Sequence, residues 1–143
     1  MKSMTPWSVL MLSLVACSDA QPCVACPSIE GVYTMSWTHT STTCRLQGPT
    51  PATITVGQVN STMTAIIGAE SFQGTLYDSY DFALTGFSNS SSSVMRGYAV
   101  PGSFADAGLR TAVTLNGTLS TTDLQSDAGC SGTDDFVGTR NLN

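Results

Sequence analysis

From Ile29 onward the chain alternates apolar and polar residues with a period of two, the pattern of a strand with one buried face and one wet face. In Gly31-Val32-Tyr33-Thr34-Met35-Ser36-Trp37-Thr38, the residues Tyr33, Met35 and Trp37 share one face and Thr34, Ser36 and Thr38 the other. Residues 52–56, 62–67 and 71–76 continue the alternation. Residues 80–86 direct Tyr80, Phe82 and Leu84 inward, and residues 110–119 do the same with Val113, Leu115 and Leu119. A last run, residues 133–140, carries Phe136, and residues 93–100 read as a further strand with mixed faces. Turn chemistry separates the runs at Val56-Gly57, Ile67-Gly68, Tyr77-Asp78-Ser79 and Pro101-Gly102. No window sustains a helical period. The pattern predicts an all-β domain over residues 29–143: about eight antiparallel strands in a meander, closed as a barrel or stacked as a sandwich.

A short motif recurs inside these runs. Phe72-Gln73-Gly74-Thr75-Leu76, Leu115-Asn116-Gly117-Thr118-Leu119 and Phe136-Val137-Gly138-Thr139-Arg140 share apolar-x-Gly-Thr-x. A glycine inside a strand marks a bend or a close approach of backbones, as expected where strands curl around one core.

The first residues follow a different rule. Lys2 is followed by the apolar stretch Trp7 to Ala16 and then Cys17, the layout of a secretory signal peptide. The stretch is shorter than the roughly 20 residues that a membrane-spanning helix needs. Leu14-Val15-Ala16-Cys17 resembles the bacterial lipobox. That resemblance implies removal of residues 1–16 and lipidation of Cys17, which becomes the first mature residue. It also implies a bacterial cell envelope, where two or three acyl chains hold a protein that one chain would hold only marginally. Ser18 follows the lipidated cysteine where inner-membrane retention uses aspartate, which points to the outer membrane, with Asp19 one place later. Residues 17–28, rich in Pro, small and polar residues, read as a lipidated N-terminus and flexible tether.

Cysteine parity agrees. The chain has 5 cysteines, and lipidation of Cys17 leaves Cys23, Cys26, Cys44 and Cys130, an even set for two disulfides in an oxidising compartment. Four cysteines allow three connectivities. In a closed meander, Cys44 after the first strand and Cys130 before the last are neighbours, so the expected pairs are Cys44–Cys130 and Cys23–Cys26.

Composition narrows the partners. With 5 Lys+Arg against 10 Asp+Glu and no basic run, the chain lacks the clustered cations that nucleic acid requires. Without residues 1–16 the balance is 4 − 10 = −6, and no lysine remains to hold anionic headgroups, so the acyl chains must do the anchoring.

The domain's ends resemble lipocalin-like barrels, which begin with Gly-x-Trp and finish with a basic residue packed across that ring. Here Gly31-Val32-Tyr33 and Arg140 hold those places, with Tyr33 for the Trp. The resemblance implies an internal ligand pocket near Tyr33, Trp37 and Arg140.

Other polar residues offer little chemistry. His39, the only histidine, reads as a solvated residue at a strand end, with no Gly-x-Ser-x-Gly elbow to supply a nucleophile. Cys23-Val24-Ala25-Cys26 has redox spacing but no following helix to lower a thiol pKa, so it reads as a structural disulfide. Asp78, Asp81 and Asp134-Asp135 stand in no calcium loop and read as a solvated acidic surface. Three Asn-x-Ser/Thr sequons, at Asn60, Asn89 and Asn116, are inert in a bacterium. No cofactor and no metal site is expected. The sequence ranks a lipid-anchored, non-enzymatic structural or interaction domain first. A binder of small apolar ligands comes second and an envelope enzyme last. An envelope protein or a small apolar ligand is the partner these readings leave open.

Overall fold

The computed structural model describes residues 20–44, 46–88, 95–105, 112–125 and 129–141. Cys17 and the signal-like segment lie outside the described residues, as does the sequon at Asn89. Eight strands follow in order: β1 (Gly31–Thr42), β2 (Thr53–Val59), β3 (Thr62–Ile67), β4 (Glu70–Leu76), β5 (Asp81–Ser88), β6 (Arg96–Ala105), β7 (Ala112–Asp123) and β8 (Ser131–Asn141). Each pairs antiparallel with the next, and β8 returns to β1, which closes the barrel. Of the two arrangements open to the pattern, the barrel is the one formed.

Alternation drives the closure. In β3 and β5 every second side chain is buried without exception. Met63, Ala65 and Ile67 meet Phe82 and Leu84 inside, together with Val100, Leu115, Leu119 and Phe136 from the later strands. Aromatic rings fill the axis as tilted pairs: Trp37 with Phe136 at 5.3 Å, Phe72 with Tyr98 at 5.5 Å, and Phe82 with Phe104 at 5.1 Å. Such pairs contribute beyond the area they bury. The outer wall carries hydroxyls, such as Thr34, Ser36, Thr55 and Thr64. Apolar inside and polar outside is the reverse of a membrane-spanning barrel.

Two turn expectations and one inward-facing residue are corrected. Gly57 lies within β2, and the reversal falls at Asn60-Ser61, where Asn60 takes the left-handed φ of 54° that Asn tolerates well. Pro101-Gly102 lies within β6, its pairs with β7 resuming at Gly102 in the same register as before Val100. Gly102 is needed there for close approach, since a Cβ would collide with the Phe82 ring and the Asn116 carbonyl. Tyr80 does not point inward. It precedes β5 in a left-handed conformation (φ 63°), which turns its ring toward solvent, so the inward row starts at Phe82. The reversals at Gly68 and at Tyr77-Asp78-Ser79 fall where the sequence places them.

Irregular segments cover both ends. Residues 22–28, expected to be loose tether, instead form with Ile29 and Glu30 a strap across the end where β1 begins. Pro22 bridges Tyr77, the Cys23 N–H donates to the Leu76 carbonyl at 3.0 Å, and Cys23 and Ile29 are buried in the core. Gln58 holds the strap through the Ile29 N–H (2.9 Å) and the Pro27 carbonyl (3.0 Å). At the opposite end, residues 46–52 cross the mouth with Leu46 buried beneath them. The Trp37 indole donates to the Pro51 carbonyl at 2.7 Å. Each end has its own disulfide, Cys23–Cys26 within the first strap and Cys44–Cys130 beside the second.

Candidate functional site

The three residues expected to share a ligand pocket do not share one. Tyr33 and Arg140 come together at the strap end, and their contact has the form that the lipocalin-like ends imply. The Arg140 guanidinium lies 5.8 Å from the Tyr33 ring centroid and donates to the carbonyls of Glu30 and Ser28. Gly31 allows the crossing, because a Cβ there would stand 2.6 Å from Arg140 Cδ. The Tyr33 hydroxyl donates to the Ile29 carbonyl at 2.6 Å. Burial pushes the Tyr33 pKa up to about 12, with the Arg140 charge pulling it the other way. This cluster closes the barrel, and neither Tyr33 nor Arg140 borders the interior cavity found among the described residues.

Trp37 lies four residues further along β1 and packs on Phe136. It borders the interior cavity with Met35, Ile54, Met63, Phe82 and Leu115, among others, but that cavity is only about 10 Å³. A single water fills such a space, and small-molecule pockets run to several hundred Å³. Side chains fill the interior, as an eight-stranded barrel permits.

A polar cluster that the sequence reading placed in solvent stands at the other end. His39 is exposed and near the end of β1, as expected, but it is not free: it stands opposite Asp134 of β8, just before a register shift between His39 and Ser41. Asp134 points inward and is 1% exposed, so the acidic pair Asp134-Asp135 is a solvated surface at Asp135 only. Its Oδ1 is 2.7 Å from His39 Nδ1, and its Oδ2 accepts the Gly48 N–H at 3.3 Å. Asp135, outside, accepts the Thr118 hydroxyl at 2.8 Å. A carboxylate with this little exposure needs such partners, since an unpaired buried charge is strongly unfavourable. Thr121, fully buried on β7, has a hydroxyl oxygen with no hydrogen-bond partner among the described residues.

The signal for this cluster was in the alternation. Phe136 faces inward, so Asp134 two residues earlier does too; Trp37 faces inward, and His39 follows two residues later. An aspartate on Nδ1 is how a histidine base is oriented, but that chemistry also needs a nucleophile at Nε2. What the described contacts supply is attachment: His39 from β1, Asp134 from β8 and Gly48 from the strap are held to one carboxylate.

The four remaining cysteines pair as expected. Cys44 and Cys130 join the ends of β1 and β8 with Cα atoms 5.7 Å apart, and Cys23 pairs with Cys26 at 5.3 Å. Among the described residues, no three His, Cys, Asp or Glu side chains gather as a metal site. Comparison with known protein families, curated proteins and solved structures finds no match to this chain.

Proposed function

We propose that this chain is a lipid-anchored bacterial lipoprotein of the outer membrane, whose barrel is a structural or interaction module and not an enzyme or a ligand container. The anchor rests on Leu14-Val15-Ala16-Cys17 and on the even set of cysteines left beyond it. The module reading rests on one observation: an interior filled with apolar side chains around a cavity of about 10 Å³. A barrel built to carry an apolar ligand leaves inward positions small, whereas here Tyr33, Met63, Phe72, Phe82, Phe104 and Phe136 occupy them. The polar clusters at both ends are spent on holding straps.

Detergent-phase partitioning tests the anchor. The wild-type protein enters the detergent phase with an acyl mass on the peptide that begins at Cys17, and Cys17→Ala stays in the aqueous phase without it. A Cys17→Ala protein that partitions like wild type and keeps the added mass contradicts the reading. Ser18→Asp sharpens the address by moving the protein to inner-membrane fractions.

A further inference from the structure

The strap end of the barrel exposes apolar side chains that its own fold keeps out of the core. Val24 and Ala25 form the tip of the loop that the Cys23–Cys26 disulfide closes, and Val24 is 93% exposed. Val59, the last residue of β2, is 71% exposed at the same end. Tyr80, in the turn before β5, is 48% exposed and held outward by its left-handed backbone. That conformation is uncommon for an aromatic residue.

We infer that this end rests on the bilayer that carries the acyl chains, with Val24, Val59 and Tyr80 seated among the headgroups. The inference rests on the proposed lipidation of Cys17 and adds an orientation to it. From Cys17 to Pro22 is five residues, a reach of about 17 Å when fully extended. The 11 residues of β8 run about 36 Å along the strand, or roughly 27 Å along the axis of a typically tilted barrel. Pro22 is fixed to the rim by its bridge to Tyr77. The tether is thus shorter than the barrel is tall, so the opposite end cannot reach the bilayer while the strap end faces away.

The wall offers little to a bilayer lying alongside it. Val137 lies between Ser36 and Asn116, and Ile66 between Thr55 and Ser71, so exposed apolar residues there have polar neighbours. Tyrosine suits the interface, with an apolar ring and a polar tip. The carboxylates Glu30, Asp78 and Asp81 share this end with Arg140, so the surface that fits is zwitterionic and not anionic.

Tryptophan reporters test the contact in the full-length lipidated protein on vesicles of phosphatidylcholine with brominated acyl chains. Val24→Trp and Val59→Trp should lose emission relative to the same variants on unbrominated vesicles. Phe87→Trp, at the opposite end, should lose no more than wild type, whose Trp37 is the shared background. Adding phosphatidylglycerol at low salt should weaken the quenching at positions 24 and 59. Variants that float with the vesicles but show no quenching at 24 and 59 overturn the orientation and leave the anchor standing. Protein that neither floats nor carries an acyl mass overturns the anchor and the orientation together.

Discussion

Where β1 begins, a cation sits among backbone carbonyls; where β1 ends, an anion sits between a histidine and a backbone N–H. Both clusters solve one problem, the open mouth of a small barrel, with a strap, a disulfide and one charged side chain. They differ in what the charged group rests against. Arg140 leans on the Tyr33 ring and on carbonyls that the strap must present anyway. Asp134 depends on His39, a side chain from another strand, so its end is tied to the β1–β8 register. The disulfides differ in the same sense. Cys23–Cys26 joins residues 3 apart and shapes a local loop, while Cys44–Cys130 spans 86 and fixes the seam of the barrel.

The disulfides give the largest contrast. In the chain-entropy model, closing a loop of 86 stabilises by roughly 4 to 5 kcal/mol and a loop of 3 by roughly 2. Thermal unfolding of Cys44→Ser should therefore show a far larger drop in Tm than Cys26→Ser. Equal drops would mean that the seam needs no covalent staple.

Next comes the charge at each end. His39→Ala leaves the buried Asp134 carboxylate with the Gly48 N–H alone and should cost about 3 kcal/mol, read by urea unfolding. Arg140→Met keeps an apolar stem over Tyr33 but loses the cation over the ring and the bonds to carbonyls near solvent, so about 1 to 2 kcal/mol is expected. A reversed order would place the stronger closure at the strap end.

Alkali addresses the strap end alone. The Tyr33 pKa, about 12 in the fold, stands above the ordinary value of 10.0 for the unfolded chain. The neutral phenol is the form that the fold favours. Its contribution is therefore complete below pH 10 and declines as the pH rises from 10 through 12. Tyrosinate absorbance should show a late step near pH 12 that Tyr33→Phe removes. If the late step survives in Tyr33→Phe, the assignment is wrong.

The smallest effect is expected at Thr121. Thr121→Val keeps the shape and deletes the unpartnered hydroxyl, so stability should stay level or rise by up to about 1 kcal/mol. A clear loss would show that the hydroxyl is engaged.

The two ends were unequally legible in the sequence. Alternation exposed the strands, and the adjacency of first and last strands in a meander paired Cys44 with Cys130. The Gly31-Val32-Tyr33 and Arg140 resemblance located the strap-end contact, though not the ligand pocket it implies. The strap itself was not readable, because residues 22–30 have a linker's composition and are ordered by partners distant in sequence, chiefly Gln58 and Leu76. Pro101-Gly102 has a turn's composition yet continues β6, because a crowded interior needs the missing Cβ at Gly102. At the other end, period two already placed Asp134 on the face of Phe136. Its burial followed only from residues 46–52 crossing the mouth above it, a long-range event that local pattern does not encode.

A barrel filled by its own side chains and, as proposed, held at the envelope by its N-terminus carries no second molecule inside it. Native mass spectrometry of the full-length protein, extracted from membranes, tests it most directly. The expected result is a mature chain beginning at acylated Cys17, with both disulfides intact and no further mass released on unfolding. A co-purified apolar molecule that leaves only when the barrel unfolds would contradict it.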